Sequence, residues 1–392
     1  MSNNVVATFK TEDDIYKSYP KVRHFNIKEI FNVYWDDFLT YANKHNINIR
    51  DVVLNNVNKM LDCKTSKLGY NLWQCPHCNH EHFQYNTCKS RFCNSCGVKY
   101  SKERTLQIMT KLINTKHRHL TFTLPDILWP YFREDRTRLN LMFDAVNITL
   151  SSWFKEQKKS ENFKPGFISV IHTFGRDDKW NVHLHCLLAE ATAGNNTIKK
   201  IDFFPYNMLR KRFQKVILDL LEKDIGVNRF RMTKNLCYTK YHEGFYVRAK
   251  KEQQFKGNSK KALEYILRYC GRPAFASYRI LNVDYQKDTI TFWYQRSDDK
   301  LFVVESISIC EFIARLIIHI PEFQFKTIRY YGFYASRSHK RFNEFKLLID
   351  KLKIPWFKSF LKWRFLLMAS FKKDPLKCPE CDTIMLFQKL IL

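Results

Sequence analysis

Three sets of residues in this chain stand at spacings that chemistry could use. The first is a histidine pair: in KWNVHLHCLL, His183 and His185 lie one residue apart inside an apolar run. GFISVIHTF (Gly166–Phe174) and WNVHLHCLL (Trp180–Leu188) both read as strands, and the GRDDK between them is hairpin chemistry. If the turn sits at Asp177 and Asp178, cross-strand partners have numbers that sum to 355, so His172 falls opposite His183 and His185 shares their face. A lone His-Leu-His is commonly core packing. A third histidine at matching parity turns it into a three-imidazole site with coordination positions left open, which is a catalytic arrangement suited to Mg²⁺ or Mn²⁺ in the cell and also acceptable to Zn²⁺.

The second set is a tyrosine pair. SKKALEYILRYCGRP predicts a helix with the apolar stripe Ala262, Leu263, Ile266, Leu267 and Cys270, stopped by Gly271 and Pro273. Tyr265 and Tyr269 are i, i+4 neighbours on a ridge away from that stripe, flanked by Lys261 and Arg268, with Arg272 just beyond. Beside cations a phenol ionises more readily and a phosphate is welcome, so Lys261, Arg268 and Arg272 are the expected phosphate contacts. The plainer alternative is two flank tyrosines packed against a neighbouring sheet. Taken with the histidines, the phenols offer a reaction: a tyrosine oxygen attacks a phosphodiester, a metal polarises the phosphate, and a phosphotyrosine link conserves the bond energy for rejoining.

The third set is cysteine. CPHC and CNSC are two knuckles at the spacing by which Cys75, Cys78, Cys93 and Cys96 would bind one tetrahedral, structural Zn²⁺. Cys63, Cys88 and His80 or His82 are left over and could build part of a second site. Cys378 and Cys381 form either half a zinc ribbon or two reduced cysteines.

These groups need elements to position them. Helical periodicity in IKEIFNVYWDDFLTYANKH and IRDVVLNNVNKML predicts a helical region over 1–62, followed by a zinc-binding module over 63–104 that has too little apolar content to organise itself. A catalytic domain over 105–300 would hold the strand HRHLTFTLP, a long helix around RTRLNLMFDAVNITLSSWFKEQ, the histidine hairpin, a helix at 206–223, further strands and the tyrosine helix. The remainder, 301–392, reads as a basic, aromatic helical tail that carries the last CxxC. The fold class is therefore α+β. With 66 Lys and Arg against 38 Asp and Glu, the chain carries +28 and repels itself unless a polyanion is its usual partner, so DNA is expected, chiefly single-stranded, with aromatics to stack unpaired bases. The polar, acidic start lacks a secretory signal and no run is long enough to span a membrane, so a cytoplasmic protein is expected. Nothing in the pattern sets the oligomeric state.

YNTCKSRFCNSC, IHTFGRDDKWNVHLHCLL, YILRYCGRP and IRYYGFYASR, in this order along the chain, resemble the rolling-circle insertion-sequence transposases of the His-hydrophobe-His nuclease superfamily. The resemblance implies a zinc-binding N-terminal domain, then an antiparallel-sheet nuclease domain flanked by helices. It also implies metal binding by His183 and His185, with His172 in the third-ligand position of related three-histidine relaxases, and nucleophiles at Tyr265 and Tyr269 as in two-tyrosine members. Two positions depart from the family pattern. Phe92 stands where a histidine usually precedes a zinc-knuckle cysteine, and Asn181 and Val182 replace a His-Pro before the histidine pair. The activity implied is nicking and rejoining of single-stranded element ends through a 5′-phosphotyrosine intermediate. The alternatives are a plasmid relaxase or replication initiator, and a non-catalytic zinc-knuckle DNA-binding protein.

Overall fold

The computed structural model describes residues 4–20, 24–157, 164–194, 197–201, 203–248, 274–296, 298–335 and 353–391. In chain order the strands and α-helices are β1 (Val5–Phe9), α1 (Glu12–Ser18), α2 (Ile27–Lys44), α3 (Asp51–Leu61), β2 (Tyr70–Gln74), β3 (Glu81–Tyr85), α4 (Asn94–Met109), β4 (His117–Thr123), α5 (Trp129–Glu134), α6 (Leu139–Gln157), β5 (Lys164–Phe174) and β6 (Trp180–Gly194). They continue with β7 (Thr197–Lys200), α7 (Tyr206–Ile225), α8 (Val227–Lys240), β8 (Tyr246–Arg248), β9 (Ile280–Asp284), β10 (Thr289–Gln295), β11 (Phe302–Ser308), α9 (Ile309–Ile317), β12 (Ile328–Gly332), α10 (Lys353–Ser359), α11 (Trp363–Phe371) and β13 (Leu386–Ile391).

The central sheet has the order β12-β5-β6-β4-β8, with β7 on β6, and every pairing in it is antiparallel. Its strands alternate faces, as the two-residue period of a strand requires. Leu120, Phe122, Phe167, Ile171, Val182, Leu184, Cys186 and Leu188 turn to one side, where α6, α7 and α8 close the largest core. Ile168, Val170, Leu187 and Ala189 turn to the other, against Leu106, Ile108 and Met109 of α4, Phe357 of α10 and Leu366 of α11. Buried on both faces, β5 and β6 read as nearly continuous apolar runs, and that is why polar residues within them stand out.

A second sheet, β1-β11-β10-β9, packs against α2, α3 and α9. This core joins residues 25–63 to residues 275–320 and so crosses the divisions expected at 62 and 300. Two further expectations need correction. The tail past 301 is not simply helical, because β11, β12 and β13 lie in it and pair with β10, β5 and β2 respectively. Between the helix at 206–223 and the tyrosine helix, where further strands are expected, the described residues hold α8 as well as the short strand β8; only Phe230 and Cys237 of α8 are buried, too few to show a helical stripe in the sequence.

Candidate active site and metal centres

The hairpin register is the one that a turn at Asp177–Asp178 implies. His172 pairs with His183, Ile171 with Leu184 and Val170 with His185, and Asp178 takes the left-handed backbone at φ +58°. Asp178 is fixed there from several sides. Its carboxylate accepts from the Arg279 guanidinium at 2.7 Å and its carbonyl accepts from His319 Nε2 at 2.9 Å, while burial raises its pKa to about 7 against the pull of Arg279. The turn is thus anchored to the second sheet through Arg279, the residue just before β9.

His172, His183 and His185 converge: one ring nitrogen from each lies within 4.8 Å of the others. His172 and His185 are buried and His183 half-buried. Burial holds His183 down at about 4, and His185 is lowered well below the usual histidine value by burial and by the neighbouring rings of His183, His172 and His119. At neutral pH the His183 and His185 imidazoles are therefore unprotonated, the state a metal ligand requires.

The orientation of each ring is set by its other nitrogen. His183 Nδ1 meets the Asn181 carbonyl at 3.0 Å, so Nδ1 carries the proton and Nε2 is left as the donor to an ion. Only the main-chain oxygen of Asn181 is used, which explains why that position can depart from the family pattern. His185 Nδ1 lies 2.9 Å from Nε2 of His119, a fourth histidine that the sequence reading passed over. Thr121 Oγ1 stands 3.2 Å from His119 Nε2 and 3.5 Å from His185 Nδ1. Because β4 pairs with β6, Thr121 opposite His185 and His119 opposite Leu187, His119 reaches the site diagonally. The signal was the alternation of His117, His119 and Thr121 in HRHLT; what the sequence could not give was the strand next to it.

His172 also lines a cavity of about 60 Å³, shared with Arg91, Arg136, Thr173, His319 and Thr327 among others. Arg91 donates to Thr327 Oγ1 at 2.7 Å, and Arg136 lies over the Trp180 ring at 4.8 Å. Burial and the Arg50 charge lower Arg136 to about 9, which still leaves it cationic at neutral pH. Tyr265 and Tyr269, with Lys261, Arg268 and Arg272, lie outside the described residues.

The cysteines are partnered differently from expectation. The two knuckles do not share one site: Cys93 and Cys96 gather with Cys63 and Cys88, whereas Cys75 and Cys78 gather with Cys378 and Cys381. In the first cluster Sγ of Cys96 lies 3.6 Å from that of Cys63 and 3.5 Å from that of Cys88. Cys63 follows α3, and Cys93 caps α4, so this cluster pins two helices together inside the second core. Phe92, in the place of the family histidine, packs edge-on against Phe31 at 5.6 Å. His80 belongs to neither cluster among the described residues; its carbonyl accepts from the Cys75 amide at 2.9 Å.

Fold and charge together define a basic α+β protein built around two clusters of four thiols and one cluster of three imidazoles. Residues 166–341, which include all three converging histidines, match the family described as "Putative transposase", and residues 30–124 match the "Transposase zinc-binding domain". The chain is similar to the transposase for insertion sequence element IS801 of Pseudomonas savastanoi pv. phaseolicola, 27% identical over 88% of this chain and 85% of that one. It is similar also to "Putative transposase y4qJ" of Sinorhizobium fredii, 25% identical over 70% of this chain and 72% of that one. No solved structure matches it. The chain is thus similar to the IS91-type transposases over two successive segments, the first of which matches their zinc-binding domain. DNA is accordingly its partner, and no described helix is long and apolar enough to cross a membrane.

Proposed function

We propose that this transposase nicks and rejoins single-stranded DNA at element ends, by rolling-circle transposition through a 5′-phosphotyrosine intermediate, in the cytoplasm. The observation that carries the reading is the convergence of His172, His183 and His185, with His183 held so that Nε2 faces the site. A three-imidazole set fits a divalent ion, Mg²⁺ or Mn²⁺, and leaves positions open for substrate oxygens. Such an ion would polarise the scissile phosphate.

The chain's own residues supply the rest. Tyr265 or Tyr269 loses its phenolic proton and its oxygen bonds to phosphorus; the bond to the leaving 3′ oxygen breaks and that oxygen gains a proton as a free hydroxyl. Two tyrosines allow two successive transfers. Lys261, Arg268 and Arg272, together with Arg91 and Arg136 at the cavity that His172 shares, are the cations assigned to backbone phosphates.

The test uses a single-stranded oligonucleotide carrying an element end, with Mn²⁺. The wild-type chain is expected to form a covalent protein–DNA adduct, Tyr265→Phe and Tyr269→Phe singly to weaken or redirect it, and the double variant to lose it. An adduct that persists in the double variant sinks the tyrosine mechanism. One that persists in His183→Ala with His185→Ala sinks the metal assignment.

A further inference from the structure

The family's zinc-binding segment ends at residue 124, and within it Cys75 and Cys78 have only each other. Their partners come from the far end of the chain. We propose that Cys75, Cys78, Cys378 and Cys381 bind a second Zn²⁺, which fastens the C-terminal strand to the N-terminal module.

The two contributing segments fold as the same knuckle. Cys75-Pro76-His77-Cys78-Asn79 and Cys378-Pro379-Glu380-Cys381-Asp382 share the spacing, the proline and the terminal Asx residue. In each, the first cysteine's amide donates to the carbonyl five residues on, Cys75 to His80 at 2.9 Å and Cys378 to Thr383 at 2.8 Å. In each, the residue after the second cysteine is left-handed, Asn79 at φ +58° and Asp382 at φ +60°, and its amide donates back to the first cysteine's carbonyl at 3.0 Å. This backbone turns both thiols of a knuckle to one side. The four sulfurs then face one another across the pair of knuckles: Cys75 to Cys381 at 3.4 Å, and Cys78 to Cys378 and to Cys381 at 3.5 Å. A disulfide would bring two of them to about 2.0 Å, whereas a tetrahedral ion with Zn–S of about 2.3 Å spaces its thiolates by about 3.8 Å.

Packing gives an independent reason. The small sheet β13-β2-β3 that surrounds the knuckles has almost no interior: the buried set is Cys75, Cys378 and Met385, with Trp73 and Cys381 against it. Nearly all of β13 is exposed. So little apolar burial does not hold three strands together, and metal ligation is the usual substitute. Four soft thiolates select Zn²⁺ over Mg²⁺ or Mn²⁺, and a closed set of four leaves no position for substrate, so the ion is structural. Each thiol gives up its proton to solvent as it ligates.

The consequence reaches the histidine sheet. Trp73 of β2 stacks on Trp363 of α11 at 6.3 Å and meets Phe387 of β13 edge-on at 5.5 Å, and α11 packs on α4 below the central sheet. The second ion therefore holds the C-terminal helices against the face that bears His172, His183 and His185.

Metal analysis and native mass spectrometry of the full chain test this. Two Zn²⁺ per chain are expected, falling to one in Cys378→Ser with Cys381→Ser, to one in Cys75→Ser with Cys78→Ser, and to one, not fewer, when all four are changed. A full chain with one Zn²⁺, a C-terminal variant that keeps two, iron in place of zinc, or a four-fold variant that loses more than either pair each overturns the proposal. A measurement without variants guards against misfolding. In the native wild-type chain, exposed Cys78 should resist iodoacetamide together with Cys75, Cys378 and Cys381, and all four should alkylate after chelation. Rapid alkylation of Cys78 before chelation refutes the site. Neither readout depends on DNA cleavage.

Discussion

His119 shows how much of the site's chemistry rests on a residue that does not ligate. Its Nε2 is 2.9 Å from His185 Nδ1, so it fixes which nitrogen of His185 carries the proton and which way the ring points. Outer partners of this kind usually change metal affinity 10- to 100-fold. His119→Ala should weaken Mn²⁺ binding by roughly that factor in a titration of the full chain, and His119→Gln, which keeps an acceptor, should recover part of it. Equal affinity in all three chains would remove His119 from the site. His117, two residues back on the same strand, has a purely structural role. Its Nδ1 donates to the Thr115 carbonyl at 3.0 Å, its Nε2 accepts from the Tyr334 hydroxyl at 2.7 Å, and burial lowers it from 6.5 to about 4. The folded state prefers the neutral ring, so the stability linked to it is complete above about pH 6.5 and is lost as pH falls towards 4. At about 1.4 kcal/mol per pH unit this amounts to on the order of 3 kcal/mol. Denaturation midpoints should therefore rise with pH across that window, and His117→Gln should flatten the rise.

At the scale of elements, the edge strand β12 depends on two glycines. Gly332 has φ +56°, and a Cβ there would fall 1.5 Å from the Pro165 carbonyl oxygen; a Cβ on Gly166 would fall 2.1 Å from the Phe333 ring. At Gly332 the backbone runs too close to β5 for a side chain, and the Phe333 ring fills the space that one on Gly166 would need. Gly332→Ala should cost on the order of 3 kcal/mol and lower the melting temperature by several degrees; an unchanged melting temperature would falsify this close-approach account. The elements also divide into those that were legible and those that were not. The β5–β6 hairpin was legible because its turn residues fix the register and the register fixes which side chains face each other. α2, α3, α6 and α7 were legible from their apolar period. α8 buries too few residues to show one, and β12 and β13 are short strands whose partners lie far away in sequence.

At the scale of the molecule, the charge of +28 makes DNA affinity a function of salt. Binding to a single-stranded oligonucleotide should fall at least tenfold between about 50 and 200 mM monovalent salt, as counterion release demands; a flat response would mean that phosphate contacts do not dominate. The first cysteine cluster sits inside the core that joins α2 and α3 to the second sheet. Stripping its metal should unfold that core, seen as a loss of helical circular dichroism on addition of a strong zinc chelator and its return on zinc addition. The sequence alone determined the α+β class, the polyanion partner, the hairpin face that carries His172, His183 and His185, and the presence of cysteine knuckles, because each follows from composition or from spacing within a few residues. Only the tertiary structure decided which cysteines meet, that His119 stands behind His185, and that the two ends of the chain share one small sheet. Those pairings join residues separated by as many as about 300 positions, and local periodicity carries no record of which distant segment a strand edge or a thiol will face.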